Sequence, residues 1–521
     1  MQLQTLHQEE NPSSLTYGIK YEKRIDLTPA VRTKIALIAK YGNAYGRITR
    51  LSQRFAVSRT TVYSLRDELS VSISAAFDKL PDVSATPHAI REATIRFILV
   101  LRLIGRCSVS AISTILQETG HSRQSLGFVS GILQSIGNKL PQVIDCQGTF
   151  NWACDEIYHL GKTPILVTVE PISGAVLQIE TFTGQLKTGW TEHWQRLDDK
   201  KLKVLTLVSD EGWMLRAARM EHADWDFQPD TFHAVSHRLG LFAKRYAKAA
   251  YQAIEDEYER ESLCQNTQKP KQLPLYKKQL AKLQSETQIA LERHDKFSFF
   301  YGCILQQFNV FDRNGEVRKR NFAEGEVKTA IEYLYELDIP NLNKELKIID
   351  KLLPNLFSFL DKAQQSCQKI VQNGLVLQQD LPFWAIAWQY EKRSFKVKNN
   401  YHFQKQLRLK SKNALIELQQ VNHLSEDQFN DLGLIIFAQF DAVIQSSAPV
   451  EMFNAFLKPF LNQSRDQLSQ QSLNLIMDFY NNHTFKRGKR KGKSPLEILT
   501  GKKSDQPWLD NIMDLVRLHK I

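Results

Sequence analysis

The sequence predicts an α/β core that is interrupted by a large all-α insertion and preceded by an all-α region. Apolar runs with strand-like spacing are confined to residues 152–229, whereas helical spacing fills residues 27–80 and 238–445. At 521 residues, the chain is too long for one ordinary hydrophobic core. We therefore expect six segments: helical domains at 1–80 and 81–148, the first part of the core at 149–237, the insertion at 238–445, the final part of the core at 446–500 and a C-terminal tail at 501–521.

The chain is basic, with a formal net charge of +12. This excess favours a polyanionic partner, and nucleic acid is the commonest one, although many proteins with other partners are mildly basic. The six cysteines form no C-x-x-C pair, which disfavours zinc ribbons and redox motifs and favours reduced thiols in the cytoplasm. Neither a signal-peptide pattern nor a run of about 18 apolar residues is present, so we expect no membrane partner.

Two short helices joined by a turn are predicted near the N-terminus. The first covers residues 47–55, and Ser58 suits the N-cap of the second. As a helix-turn-helix, this pair directs Arg59, Thr60 and Tyr63 toward base edges in the major groove of DNA. An ordinary helical hairpin explains the same spacing. The apolar residues expected in the shared core are Ile48, Leu51, Phe55, Val57, Val62 and Leu65.

A second helix pair is predicted at residues 108–116 and 122–133, with a turn at 119–121. As a second DNA-binding module, it places Arg123 against the nucleic acid. A plain helical bundle explains this pattern equally well.

The pattern changes to strands at residue 151. The predicted order is strand, strand, strand, helix, strand, helix, strand, and the fourth strand is apolar enough to be buried and parallel. This order matches a ribonuclease H-like core with a mixed five-stranded sheet. The expected ranges are 152–158, 163–169 and 175–182 for the first three strands, 189–197 for the helix, 202–208, 214–220 for the second helix, and 226–229.

Three acidic residues occupy distinctive positions in this pattern. Asp155 lies within the first strand, and Asp210 ends the buried strand. Glu451, 241 positions later, opens an amphipathic helix. On that helix Asn454 and Lys458 share a stripe with Glu451, opposite an apolar stripe of Phe453, Phe456, Leu457 and Phe460.

These acids and their flanking residues resemble the DDE transposase and retroviral-integrase superfamily, in particular bacterial insertion-sequence transposases. The resembling blocks are Trp152-Ala-Cys-Asp-Glu-Ile-Tyr158, Leu207-Val-Ser-Asp-Glu-Gly212 and Val450-Glu-Met-Phe-Asn454, followed by Phe479-Tyr-Asn-Asn482 and Lys493-Ser-Pro-Leu-Glu-Ile-Leu499. The simplest members lack a long helical block between the second aspartate and the glutamate, so Glu451 is aligned less firmly than the aspartates. Glu156 and Glu211 are the rival ligands, and Glu156 is expected on the opposite face of its strand.

The resemblance implies a metal-dependent transposase. Asp155, Asp210 and Glu451 are then the catalytic residues and the ligands of two Mg²⁺ or Mn²⁺ ions. The implied partners are double-stranded DNA, as terminal inverted repeats and target, and further copies of the chain in a homodimer or larger assembly. The implied location is the bacterial cytoplasm, on the nucleoid. Two alternatives stay open: an inactive DNA-binding regulator, and a nuclease of the same fold that does not join ends.

Other residues are candidates for contacts with DNA. Six basic residues lie within 486–493 and suit phosphate binding: Lys486, Arg487, Lys489, Arg490, Lys491 and Lys493. Asn454 and Lys458 are further candidates. His233 is a possible auxiliary residue near the scissile phosphate; a zinc site with His237 and a buried structural histidine are its alternatives. Trp384 and Trp388 suit either core packing or stacking on an unpaired base.

Overall fold

The computed structural model describes residues 26–42, 44–77, 87–158, 163–210, 212–421, 425–464, 468–487 and 490–521. It is a mostly helical α/β protein with one five-stranded mixed sheet, which confirms the predicted class. The chain divides into two compact units, at residues 1–132 and 133–521, and each is described by itself. No helix among the described residues is long and apolar enough to cross a membrane.

The first unit is built from helices. Val62 is fully buried between them, with Ile35, Ala39 and Leu51. All six apolar residues predicted for the shared core of the helix pair belong to this cluster. The helices are α1 (Pro29–Tyr41), α2 (Arg47–Arg54), α3 (Arg59–Phe77), α4 (Pro87–Leu103), α5 (Val109–Glu118) and α6 (Leu126–Gly137), the last of which runs across the unit boundary.

Side-chain caps decide where two of these helices begin. The Ser58 hydroxyl accepts the backbone N–H of Thr61 at 3.0 Å, as predicted for an N-cap. The predicted start of the later helix at residue 122 is wrong, because α6 begins at Leu126. Ser125, not Ser122, accepts the N–H of Phe128, so residues 122–125 form the approach to the helix.

The second unit contains the sheet. Its strands are β1 (Gly148–Ile157), β2 (Ile165–Val169), β3 (Val176–Thr181), β4 (Leu202–Ser209) and β5 (Phe227–Pro229). Their order is β3-β2-β1-β4-β5. The first three strands pair antiparallel, whereas β4 lies parallel to both β1 and β5. All five predicted strands exist, and the parallel orientation of the buried fourth strand is confirmed.

Alternation along β1 gives the two faces of the sheet different partners. Two helices cover one face: α7 (Leu186–Asp199) and α8 (Trp213–Arg219). Trp152 and Cys154 pack there against Trp190 and Leu215. Asp155 directly follows Cys154 and therefore faces the other side, where a later helix, α17 (Ala448–Gln463), contacts β1.

The sequence between β5 and α17 is helical and forms a core of its own. It opens with a π-helical segment at Phe232–His237, which the sequence pattern did not predict. The helices are α9 (Arg238–Asn266), α10 (Leu273–Gln307), α11 (Arg320–Tyr335), α12 (Pro340–Leu356), α13 (Ser358–Gln372), α14 (Leu381–Lys396), α15 (Tyr401–Val421) and α16 (Glu426–Asp441).

Polar side chains fasten this helical segment to the edge strand β5. The buried Gln228 amide donates to the carbonyl of Leu356, where α12 ends. Its carbonyl oxygen accepts the hydroxyl of Ser358 and the N–H of Phe359, where α13 begins. Lys362 pairs with Asp226 just before the strand. One side chain thus satisfies polar groups at two helix ends, and the helices cover the edge strand.

The final part of the chain comprises α17, α18 (Gln470–Asn482), α19 (Pro495–Thr500) and α20 (Trp508–Leu518). Of these helices, α18 covers the opposite edge of the sheet at β3. The Asn481 amide pairs with both backbone groups of Val176 in β3, at 2.8 Å each. Further along the strand, the Gln470 amide accepts the N–H of Thr181 and donates to the carbonyl of Ile179. These amides replace a neighbouring strand, so α18 is held in register with the sheet. The segment predicted as a tail contains a packed helix, α20.

Candidate active site

The parallel pairing of β1 and β4 brings two of the predicted acids together. Cys154 is the register partner of Ser209, and Asp155 and Asp210 follow these residues directly. Neighbouring strands lie about 4.8 Å apart, so the two aspartates occupy adjacent positions. The negative charge of Asp210 is one of the influences that raise the pKa of Asp155, which agrees with this proximity.

The helix α17 reaches the same place from the other side of the insertion. The Asn454 amide donates to Asp155 Oδ2 at 2.7 Å. Phe453, Leu457 and Phe460 are fully buried beneath the helix, as the apolar stripe predicted, whereas Phe456 is half-buried. Lys458 is exposed on the polar stripe. This packing turns the polar stripe toward the carboxyl end of β1.

Glu451 lies one helical turn before Asn454, but its carboxylate is held by a histidine. His233 Nε2 donates to Glu451 Oε1 at 2.6 Å. Partial burial lowers the pKa of His233, but the hydrogen bond to Glu451 and the charges of Asp230, Glu451 and Asp210 outweigh it. The pKa of His233 therefore lies above 6.5, and the ring carries positive charge at mildly acidic pH.

The rival carboxylate Glu156 sits on the Trp190 side of the sheet by strand alternation, as predicted. Its carboxylate nevertheless lies close to that of Asp210, since both carboxylates lie beside Gly212. A side chain at Gly212 would place its Cβ 3.1 Å from Asp210 Oδ1 and 3.4 Å from Glu156 Oε1. The second oxygen of Glu156 is buried and has no hydrogen-bond partner among the described atoms. Glu211, the other rival, lies outside the described residues.

The electrostatics of this cluster disfavour the fully ionised state. Burial raises the pKa of Asp155 to about 7, and the charges of Asp210 and Glu156 act in the same direction. Burial and the charge of Asp210 raise the pKa of Glu156 to about 7 as well. Neighbouring carboxylates that repel one another in a buried site are stabilised by a cation, and their hard oxygen atoms suit Mg²⁺ or Mn²⁺.

No model of a known protein family matches this chain, and a search of curated proteins finds no match either.

As they stand, no three His, Cys, Asp or Glu side chains in the described ranges converge closely enough to hold a metal ion. Asp155 and Asp210 are adjacent, but Glu451 is turned toward His233. His237 lies near His233, with ring centroids 5.8 Å apart. The described residues around them supply no third ligand for the zinc alternative.

Backbone hydrogen bonds join the two ends of the basic run at 486–493, which we call the basic loop. Phe485 exchanges backbone hydrogen bonds with Lys493 and Gly492, both at 2.9 Å. Four of its basic residues are exposed: Lys486, Arg487, Lys491 and Lys493. Lys489 lies outside the described residues.

Arg490 does not share the exposure of the other basic residues. Its guanidinium donates to the carbonyls of Pro171 and Ile172 in the β2–β3 turn. It covers Gly174, whose positive φ of 78° and lack of a side chain allow the close approach. Burial lowers the pKa of Arg490. We therefore assign Arg490 to anchoring the loop, contrary to its predicted contact with DNA.

The remaining predicted residues divide into exposed and buried groups. Arg59, Thr60 and Tyr63 are exposed near the start of α3, and Arg123 is exposed just before α6. The tryptophans are core residues. Trp384 is 1% exposed, and Trp388 packs edge-on against Phe311 and Phe440 while its N–H donates to Asp441. The core-packing alternative is therefore confirmed, and stacking on a base is not available to Trp384.

Sequence reasoning missed Asp230 as a residue of this site. Asp230 follows β5 directly and is 2% exposed. Its carboxylate accepts hydrogen bonds from His233 and Ser447. Its spacing of three positions from His233 was a local signal, but that signal was interpreted for the histidine alone, and its position directly after a buried strand was a second indication.

Proposed function

We propose that this protein is a DNA transposase of the DDE type, which cleaves at the ends of a mobile element and joins 3′-hydroxyl ends to target DNA. The observation that carries the proposal is the meeting of three separate parts of the chain. Asp155 and Asp210 directly follow the last register pair of the adjacent parallel strands β1 and β4, and Asn454 brings the Glu451 helix into contact with Asp155. Two of the three acids that resemble this superfamily thus lie on adjacent strands, and the helix that carries the third acid contacts one of them.

The sheet topology supports a ribonuclease H-like core. Three antiparallel strands are followed by two parallel ones, in the order β3-β2-β1-β4-β5, with helices on both faces. The helical segment between β5 and α17 is the insertion in this core. It leaves and returns at one place, because the backbone and hydroxyl of Thr231 both donate to the carbonyl of Gln445 at 2.9 Å.

The donor set fits divalent cations that prefer oxygen ligands. Asp155 and Asp210 would hold Mg²⁺ or Mn²⁺ together with Glu451, and the raised pKa of Asp155 is consistent with a site that lacks a compensating charge. Bound in this way, two such ions supply an activated oxygen nucleophile and stabilise the leaving oxygen of a phosphodiester. Asn454 orients the Asp155 carboxylate. His233, as a cation beside Glu451, is placed to act as an auxiliary group for a phosphate.

In this proposal, exposed basic and polar side chains make the contacts with DNA. The start of α3 and the residue Arg123 would read the terminal inverted repeats. The exposed residues of the basic loop and Lys458 would contact phosphates. A homodimer or larger assembly that bridges two ends belongs to the same proposal.

The decisive experiment uses labelled DNA carrying the element's own ends, identified from inverted repeats that flank the gene. We expect cleavage with Mg²⁺ or Mn²⁺, little with Ca²⁺, and none with the Asp155→Ala variant. Pre-cut ends should then be joined to a target plasmid. Cleavage without joining would favour a nuclease of the same fold. Binding without any cleavage by the wild-type chain would favour a DNA-binding regulator, and either result would overturn the transposase.

A further inference from the structure

Asp230 connects the three segments that carry Asp210, His233 and Glu451. Its backbone N–H donates to the carbonyl of Ser209, the residue before Asp210, at 2.9 Å. Its Oδ1 accepts the backbone N–H of His233 at 2.9 Å. Its Oδ2 accepts both the backbone N–H and the hydroxyl of Ser447, at 2.6 and 2.7 Å. Ser447 lies four positions before Glu451, and its carbonyl accepts the first hydrogen bonds of α17.

Ser447 is used in an unusual way for a serine at the start of a helix. An N-cap serine ordinarily accepts an N–H from the first turn of its own helix, which stabilises the helix. The Ser447 hydroxyl makes no such bond and donates to Asp230 instead. The start of α17 is therefore hydrogen-bonded to Asp230, the residue that follows β5, and lacks the N-cap bond that Ser447 could have made within the helix. A carboxylate near a helix N-terminus is also favoured by the helix dipole.

The hydrogen bonds between Asp230 and Ser447 are shielded from solvent. Asp230 and Ser447 are 2% and 4% exposed, so water does not compete for their hydrogen bonds. Gln445 adds a further tie, because its amide donates to the carbonyl of Phe308 at the end of α10. The insertion is thus held at the point where the chain re-enters the core.

We propose that Asp230 is a positioning residue that fixes Glu451 and His233 relative to Asp210 across the insertion. This inference rests on the proposed function for its catalytic consequence, but its structural consequence is independent of catalysis. Without the Asp230–Ser447 contact, the start of α17 is free to shift against the end of β4. A shift of about 1 Å in a metal ligand lowers activity strongly, whereas the hydrophobic cores of the sheet and of the insertion are retained.

The test measures the position of α17 directly. Spin labels are introduced through unnatural amino acids at the exposed Thr149 of β1 and Ala455 of α17, so that the six native cysteines stay in place. We expect Asp230→Asn and Ser447→Ala to broaden the distance distribution between the labels, and Ser447→Thr to restore it. The matched control is Ser358→Ala, which removes a 2.7 Å serine bond between the insertion and Gln228 without touching α17.

Activity provides the second measurement. In the Asp230→Asn and Ser447→Ala variants, kcat for cleavage should fall about 10–100-fold. The Mg²⁺ concentration that gives half-maximal cleavage, the Mg²⁺ midpoint, should rise, and the affinity for DNA should stay unchanged. Ser358→Ala should keep the wild-type midpoint. Distance distributions and midpoints identical in all variants would overturn the positioning role. An inactive wild-type protein with the expected distance changes would instead refute the proposed function and leave the positioning role intact.

Discussion

The Asn454 amide donates to the Asp155 carboxylate at 2.7 Å, although the two residues lie 299 positions apart. One residue precedes the helical insertion and the other follows it, so the contact forms only when both parts of the core assemble. It also fixes the distance from Asp155 to Glu451, which lies one turn earlier on the same helix. This single bond is therefore the most direct link between the aspartate pair and the predicted glutamate.

Replacement of Asn454 should affect the metal site more than the fold. In Asn454→Ala, the Asp155 carboxylate loses its fixed orientation, and we expect Mg²⁺-dependent cleavage to fall about 10–100-fold. In a Mg²⁺ titration of the cleavage rate, Asn454→Ala should need a higher Mg²⁺ concentration than wild type to reach half of its maximal rate. The control is Gln463→Ala, which removes another amide from the same helix. Equal rates for wild type and Asn454→Ala would show that the contact has no role in metal binding.

The choice between Glu451 and Glu156 as the third acid is testable by paired amide substitutions. The Asp155 carboxylate lies on the face of the sheet that α17 covers, where it accepts a hydrogen bond from Asn454. Glu156 lies on the opposite face, which packs against Trp190. We expect Glu451→Gln to lower cleavage more than about a thousandfold, since removal of a metal ligand costs several kcal/mol. Glu156→Gln should lower it less than about tenfold. The reverse order of effects would assign the ligand role to Glu156.

Local sequence patterns predicted the elements of this site well. The strands of the sheet follow from alternating apolar residues and turn residues, and the buried face of α17 follows from helical spacing. Asp155 and Asp210 could be placed side by side because carboxyl ends of adjacent parallel strands meet at one edge. In each case the physical cause, burial of one face, repeats within a few residues along the chain.

Contacts between distant parts of the chain could not be predicted in this way. The pairing of Asp230 with Ser447 and that of Arg490 with the β2–β3 turn join residues more than 200 positions apart. No periodicity encodes them, because each is made by a single polar side chain that local sequence does not distinguish from an exposed one. The start of α6 was also ambiguous, since Ser122 and Ser125 are both chemically suited to cap a helix.

The acid cluster should reduce the stability of the metal-free protein at neutral pH. Burial raises the pKa of Asp155 from 3.8 to about 7, so between these pH values the folded chain retains a proton that the unfolded chain loses. The free energy of unfolding therefore falls as pH rises from about 4 to 7. Asp155→Asn should be more stable than wild type by about 1–3 kcal/mol at pH 8, and this difference should vanish toward pH 4.

Thermal unfolding measured at pH 5 and pH 8, with and without Mg²⁺, checks this expectation. Mg²⁺ should raise the Tm of wild type but not that of Asp155→Asn, because only wild type retains the ligand. The exposed Asp224 gives a control, Asp224→Asn, which should follow wild type under all four conditions. A Tm for Asp155→Asn at or below that of metal-free wild type at pH 8 would contradict the proposed electrostatic strain.

The basic loop should divide into residues that bind phosphate and one that holds the loop in place. Replacing the exposed Lys486, Arg487, Lys491 and Lys493 by glutamine should flatten the salt dependence of DNA affinity, by about 0.9 in log–log slope for each phosphate that the loop no longer neutralises. Arg490→Ala instead removes hydrogen bonds to the β2–β3 turn, so it should lower the free energy of unfolding by about 1–3 kcal/mol. Filter binding over a salt titration and urea unfolding separate the two effects. If the fourfold variant kept the wild-type slope, the loop would not bind phosphates, and its charge would serve another partner.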